Sequence, residues 1–563
     1  PGKRVTLADH KKSLIGGGLV AVIAIVGIVG GIYIFSNIDR GGGGNLIVGM
    51  ILGNKIEELD VLTYSPQRQY VIDQVLETLF ENDYSGGQPQ VISNLATSGI
   101  WNDNATEFTC VLRQNVRFHD GTVFNAAAVK WNFDRNYRLR NEISHGWEYM
   151  FRLPDGRWII NETQVVDEYT VKFVLNEPFV PFVQLLTHSA TGIMSPTSTP
   201  ANSFIDFLTG DLIGTGPFIY DGQELNVAIT MSPNPNYWGE IPKIDNLILK
   251  YYSNATTLWE ALLAQDISML DPYSARSFFI NNPDKELEGL KSDTNFVVQE
   301  IVVPNFRYLS MDYKNINVTM RKAISYAINY SYMIEDININ LSARARSPVP
   351  EGTLYSNTTA FDVPYYNISM ARKILKDVGW LGTAGLTTND NVSAGNEWEM
   401  LVSNDTPLER YNVSYWSGIT EFDLTSILVQ DNLKQIGIKV ERVGNNHWGN
   451  DLAIAGWIVD YGDPHNTASL FHSGNIFNSS TWEGDNLAQV NDSLLDQWIE
   501  EGVKETDPIL RKQLYYQIQE RLIEELYPYV WTYAKTQIYV YVSNLKGWQS
   551  RPFKFLFKTV YFD

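Results

Sequence analysis

Glu107-Phe-Thr-Cys-Val-Leu-Arg-Gln-Asn-Val-Arg-Phe-His-Asp-Gly-Thr122 is the stretch on which the fold turns. Residues 107–112 alternate in the two-residue period of a half-buried strand. Asn125 then offers a side-chain cap to the run Ala126-Ala127-Ala128-Val129-Lys130-Trp131-Asn132-Phe133, which reads as a helix. Strand and helix signals keep alternating outward from here. Residues 45–52 read as a buried strand and 70–80 as a helix with Val71, Val75, Leu76 and Leu79 on one face. Residues 165–175 read as a hairpin turning at Asp167-Glu168. Two later helices are expected, 422–436 ending at Gly437 and 509–526 ending before Pro528. This alternation implies a mixed α/β body rather than a sandwich or a bundle.

The chain has 563 residues, room for three or four lobes at roughly 150 residues each. With 44% hydrophobic and 19% charged residues it is neither disordered nor a coiled coil. A net charge of -21 opposes phosphate-backbone binding, so no nucleic-acid partner is expected. The single cysteine, Cys110, permits no intramolecular disulfide and reads as a strand residue without chemistry. None of the seven histidines falls in an HExxH pattern or beside a Gly-x-Ser-x-Gly elbow, so no enzyme is expected. His465 and His472 could in principle meet a metal, but solvated or turn histidines are the plainer reading, and no metal or cofactor is expected.

Residues 14–35 carry no charge over 22 positions, a length that as a helix reaches about 33 Å and spans a bilayer. Lys3, Arg4, Lys11 and Lys12 precede the run, and Asp39, Arg40 and four glycines follow it. This asymmetry places the N-terminus in the cytoplasm and the body outside the cell membrane. A cleaved secretory signal competes with this reading, but its apolar region is usually shorter and ends at small residues. Residues 1–44 carry five basic and two acidic side chains, net +3, so the remainder carries -24, the difference between -21 and +3. Thirteen asparagines begin Asn-X-Ser/Thr triplets, consistent with a glycosylated exterior: Asn104, Asn161, Asn254, Asn317, Asn329, Asn340, Asn357, Asn367, Asn391, Asn404, Asn412, Asn478 and Asn491. An asparagine-rich composition without sugar is the competing account.

Residues 111–122 with the Asn125 helix resemble the signature of the family 5 extracellular solute-binding proteins, the dipeptide and oligopeptide receptors of ABC importers. Further landmarks follow in family order: Gly214-Thr-Gly-Pro-Phe218, Asn234-Pro-Asn-Tyr-Trp-Gly239, Met320-Arg-Lys-Ala-Ile-Ser-Tyr-Ala-Ile-Asn329, residues 366–380, Leu452-Ala-Ile-Ala-Gly-Trp-Ile-Val-Asp-Tyr-Gly-Asp-Pro464, and residues 514–519 and 527–530. Each is weak alone, but the ordered set is specific. Three departures stand out: a helical anchor in place of a lipidated cysteine, no proline after Leu59-Asp60-Val61, and Ala127-Ala128 in place of an acidic pair. With the triplets they suggest a distant, archaeal branch.

The resemblance implies a type II periplasmic-binding-protein fold, with two clamping lobes and an extra lobe behind one N-terminal transmembrane helix. Its boundaries would be a cytoplasmic tip 1–13, the anchor 14–35, a linker 36–44, lobe I 45–80, 206–308 and 527–563, the extra lobe 81–205, and lobe II 309–526. It also implies an ABC permease as partner and a membrane tether. In peptide-binding members the aspartate at the position of Asp460 pairs with the ligand's α-ammonium group, while a turn-capping role is the competing account. Trp457 either lines the pocket or packs in the core, and Tyr461 is a weaker ligand contact. The Gly214-Thr215-Gly216 loop lacks a phosphate-loop lysine and reads as a tight turn. Peptide is the expected ligand. Oligosaccharide stacked on the 15 Trp and 31 Tyr, or a structural surface role, are the alternatives.

Overall fold

The computed structural model describes residues 43–63, 66–142, 146–153, 156–281, 286–380, 397–444, 451–480, 484–549, 551 and 554–563. The apolar run 14–35 and most of the glycine linker lie outside them. Among the described residues no helix is long and apolar enough to cross a membrane.

The strand Asn45–Ile51 begins the body and pairs in parallel with Asn246–Tyr252 on one side and Met269–Leu270 on the other. Leu46, Val48 and Met50 are fully buried, as an interior parallel strand requires. Ala228–Pro233 and Phe218–Glu224 extend the sheet in antiparallel fashion.

One strand joins the two halves of the molecule. Tyr529–Val542 is 14 residues long, rich in aromatic and β-branched residues, and buried along most of its length. Its first part pairs with Asn305–Met311 and its last part with Phe296–Val302. The chain passes between those two partners through Val303-Pro304, where the proline cannot donate to a ladder. Beyond Asn305–Met311 the sheet continues through Leu452–Ile458, Glu409–Ser414 and Ile438–Gly444. Strand pairing therefore passes from one half to the other at residues 303–304 and 534–535.

Apolar burial follows the same division. One core gathers strands and helices from residues 46–76 and 194–296 together with 538–560. A second, from Leu79 to Ile193, is built on the four-stranded sheet Ala96–Trp101, Glu107–Leu112, Thr170–Leu175 and Ile160–Asp167, and reaches Tyr461. Two more lie between Phe306 and Tyr533.

Local readings fared well where local contacts decide. Asn125 caps Ala126–Leu139, its side chain accepting from the Ala128 amide at 3.1 Å. Gly437, at φ +77°, follows Thr420–Lys434, and the last long helix, Pro508–Glu520, runs on as a π-helix to Leu526. The hairpin forms, but Asp167 pairs with Thr170, so the turn is Glu168-Tyr169, one residue later than expected. The Asp167 carboxylate holds it by accepting from the Tyr169 amide at 2.9 Å.

The helix expected over 70–80 stops at Val75, and Phe80–Asp83 is a strand. The competing force is Glu77. Its buried carboxylate accepts hydrogen bonds from Thr215, Tyr237 and Trp238, each at 2.8 Å, which pull residues 76–78 out of the helix. Burial raises the pKa of Glu77 despite these donors. The landmark loops thus meet one another: His119 contacts the Gly216 carbonyl at 2.9 Å, and Arg113 stacks 4.1 Å over Trp238.

Gly214 and Gly216 have no positive φ, so the tight-turn reading gives way to close approach. A Cβ on Gly216 would lie 2.3 Å from the Gln74 carbonyl oxygen, and one on Gly214 2.1 Å from that of Val75. We expect Gly216→Ala to lower stability by about 1–3 kcal/mol, since backbone must move to admit the methyl. Thermal unfolding would show it, and an unchanged midpoint would refute the packing account.

Candidate ligand-binding site

Both halves of the sheet and the second core open onto one cavity of about 580 Å³, within the range of small-ligand sites. The two strand crossings form its floor through Val303, Pro304, Asn305 and Arg307 on one strand and Lys535, Thr536 and Gln537 on the other. The helix Pro272–Asn281 contributes Tyr273 and Arg276 from one half. The start of Thr420–Lys434 and the bend after Leu452–Ile458 contribute Glu421 and Asp460 from the other. Trp147, His188, Arg551, Lys554 and Phe555 complete the wall.

Asp460 sits two residues beyond the strand Leu452–Ile458, is 8% exposed, and lines the cavity. Asn466 clamps it from both sides: the Asp460 amide donates to the Asn466 Oδ1 at 3.1 Å, and the Asn466 Nδ2 donates to the carboxylate at 3.0 Å. Tyr149 adds a further hydrogen bond. Burial nevertheless pushes the carboxyl up to about 6.

Trp457 and Tyr461 do not line this cavity. Trp457 is half-buried against the core around Phe306 and Tyr529 and donates to the Asn466 Oδ1 at 3.3 Å, so it braces the residue that holds Asp460. Tyr461 is buried in the second core and, beside Asp460, lines a much smaller adjoining pocket. Next along the chain, Asp463 accepts from both Nη atoms of Arg511 at 2.8 Å and from the His465 amide at 2.9 Å. Asp463 thus holds the turn at residues 463–465.

Sequence reasoning missed the cationic side of the site. Arg307 lies 3.5 Å from Glu421, and the Lys535 Nζ lies 2.5 Å from the same carboxylate. Burial opposes ionisation of Glu421, but Lys535 and Arg307 outweigh it and lower its pKa. Gly456 makes room for Arg307, since a Cβ there would lie 2.2 Å from the Arg307 Nη1. Gly456 was legible as part of a landmark, but the arginine over it was not.

The other candidates fall elsewhere. Cys110 is buried in its strand, and burial raises its thiol pKa. His465 is buried against Phe179 and burial lowers its pKa to about 4, while His472 lies 3.3 Å from Glu500. Among the described residues no group of three His, Cys, Asp or Glu side chains could hold a metal.

Residues 90–479 match the family of bacterial extracellular solute-binding proteins, family 5 middle. The chain belongs to this family. It is 24% identical over 496 residues to the probable D,D-dipeptide-binding periplasmic protein DdpA of Escherichia coli strain K12, covering 84% of this chain and 85% of that protein. It is likewise 24% identical over 463 residues to the glutathione-binding protein GsiB of the same strain, covering 81% and 83%. Among solved structures, the periplasmic binding protein DppA from Helicobacter pylori, in complex with the peptide STSA, superposes with a TM-score of 0.68 at 21% identity, covering 92% of this chain and 98% of that one.

As a family 5 solute-binding protein the chain is a binding receptor and not an enzyme, and it has the periplasmic-binding-protein fold. Twelve of the thirteen triplet asparagines are described, Asn391 lying outside, and none of the twelve is buried. Several have a structural task of their own. Asn254, Asn317, Asn329 and Asn367 each cap a helix through the side-chain oxygen, at 3.0, 3.0, 3.1 and 2.9 Å from the bonded amides. Capping gives these four asparagines a role that needs no sugar.

Proposed function

We propose that this family 5 receptor captures short peptides in the cavity at the strand crossing and delivers them to an ABC permease, tethered to the membrane by a helix over residues 14–35. The observation that carries the reading is Asp460. It is a carboxylate in the cavity wall that burial leaves hard to ionise despite its hydrogen bonds, and an ammonium group is the ligand chemistry that supplies the missing charge. The relatives named for D,D-dipeptides and glutathione, and the neighbour holding a peptide, support the ligand class.

Closure would turn about the two chain crossings, with the ligand favouring the form in which both halves touch it. A cavity of this volume suits a few residues rather than a long chain. The 22 uncharged positions support the tether, and the glycines after it would keep the body near the permease. Differential scanning fluorimetry with peptide and oligosaccharide libraries tests the reading. Peptides should raise the unfolding temperature and saccharides should not, and stabilisation by saccharides alone would replace the peptide assignment.

A further inference from the structure

The cavity is charged against the sign of the protein. In a chain of net charge -21, five cations line it, namely Arg276, Arg307, Lys535, Arg551 and Lys554, against the carboxylates Glu421 and Asp460. Arg551 and Lys554 have carboxylates behind them. Arg551 lies 3.6 Å from Glu81, and Lys554 interacts with both Glu81 and Asp73.

The floor has no such balance. Arg276, Arg307 and Lys535 converge there from a helix and two strands on the single carboxylate of Glu421, which also accepts from the Tyr533 hydroxyl. Arg276 is 9% exposed. It gives its Nη atoms to the carbonyls of Leu341 and Thr536 and to the Asn338 side chain, and its buried Nε has no hydrogen-bond partner among the described residues. Arg276 is buried and Arg307 and Lys535 are partly buried, and three such cations on one carboxylate leave an excess of two positive charges, which is costly where water is scarce. Burial, then Arg307, push Lys535 down to about 8, in keeping with that cost.

We propose that the cavity selects peptides of net negative charge, with two carboxylates for one ammonium: the ammonium meets Asp460 while the carboxylates neutralise the cluster of Arg276, Arg307 and Lys535. Charge matching dictates the stoichiometry, one negative charge at Asp460 and two uncompensated positive charges at the floor. An acidic side chain beside the terminal carboxylate supplies it, and guanidinium groups hold carboxylates with paired, charge-assisted hydrogen bonds. The proposal rests on the peptide reading of Asp460.

Calorimetric titration of the full chain with Ala-Ala, Ala-Glu and Ala-Lys, and with Ala-Ala-Ala, Ala-Glu-Ala and Ala-Lys-Ala, tests it. We expect the glutamate peptide of the better-bound length to bind at least tenfold tighter than its alanine counterpart, and the lysine peptide to bind more weakly than either. Lys535→Met should reduce the glutamate preference severalfold. Lysine and glutamate peptides of equal affinity would overturn the charge selection and leave the peptide reading standing. Binding by none of the six would overturn both.

Proton uptake gives a readout that a purely structural lysine would not move. At pH 8 a bound carboxylate raises the pKa of Lys535, so the wild type takes up protons beyond those due to the peptide's own amino group, which titrates near about 8. The groups facing Lys535 are Glu421, Arg307, Arg276 and Tyr533, and of these Glu421 stays ionised throughout. Lys535→Arg keeps the charge without titrating, so its uptake with Ala-Glu-Ala should fall to that of the amino group alone. Equal uptake by the two proteins would refute the contact.

Discussion

Asp460→Ala should weaken peptide binding at least tenfold in calorimetry. The basis is desolvation: an ammonium taken into a 580 Å³ cavity exchanges its water for a fixed carboxylate, and losing one partner of such a pair costs about 2–5 kcal/mol. Asn466, Tyr149 and Trp457 hold the carboxylate in place, so little reorganisation is needed when the ligand arrives.

The raised pKa of about 6 adds a pH signature with two opposite signs. Ammonium pairing needs the ionised form, so affinity should fall as pH drops below about 6, by up to tenfold per unit. Folding stability moves the other way. A carboxyl whose pKa is higher in the folded than in the unfolded chain favours the folded state when protonated, and that stabilisation is lost as pH rises through about 6. Relative to Asp460→Asn, the unliganded wild type should therefore gain stability between pH 7 and pH 4, by on the order of 3 kcal/mol. Asp485, whose pKa is also raised by burial, faces Asp460 and is common to both proteins, so the comparison with Asp460→Asn cancels most of its contribution. Affinity independent of both the substitution and pH would remove Asp460 from the site.

Arg511→Met should lower stability by about 3–5 kcal/mol, because it strands the carboxylate of Asp463, which is 2% exposed. Arg511 lies in the helix Pro508–Glu520, and it also donates from Nε to the Gly502 carbonyl at 2.7 Å. The pair therefore pins residues 460–465 to two helices, and the position of Asp460 depends on it. The penalty belongs to the unpaired charge rather than to the worth of the pair. Asp463→Asn combined with Arg511→Met should therefore recover much of the loss, since an asparagine oxygen can still accept from the His465 amide. Denaturant unfolding of both variants checks the prediction. A double variant as unstable as Arg511→Met alone would show that packing of the arginine matters more than its charge.

How far the fold could be read before any coordinates depended on where each element draws its support. The cap at Asn125, the stop at Gly437 and the hairpin after Ile160 were legible because the deciding contacts lie within a few residues. The helix over 70–80 was misjudged because the group that shortens it, Glu77, is bonded by residues 215, 237 and 238. Periodicity carries no trace of such a partner.

The site divides in the same way. The family resemblance of the block around Gly456 and Pro464 pointed to Asp460, which lines the cavity, and Tyr461 and Trp457 were drawn in by proximity along the chain. Asp460 and Tyr461 both lie in the bend beyond the strand Leu452–Ile458, where Asp460 lines the cavity while Tyr461 enters the second core. Arg307, Glu421 and Lys535 had no local signature at all, each being an ordinary charged residue in its own segment.

By itself the amino-acid sequence determined the alternation of strands and helices, the caps and stops, the order of the landmarks and the family they belong to. These rest on side-chain period and on hydrogen bonds made close along the chain. The tertiary structure alone decided where the two halves cross, which side of the crossing is hollow, and that the hollow is cationic in an acidic protein. Burial and ion pairing set those properties, and both depend on groups from residues 276, 307, 421, 460 and 535 meeting in one place away from water.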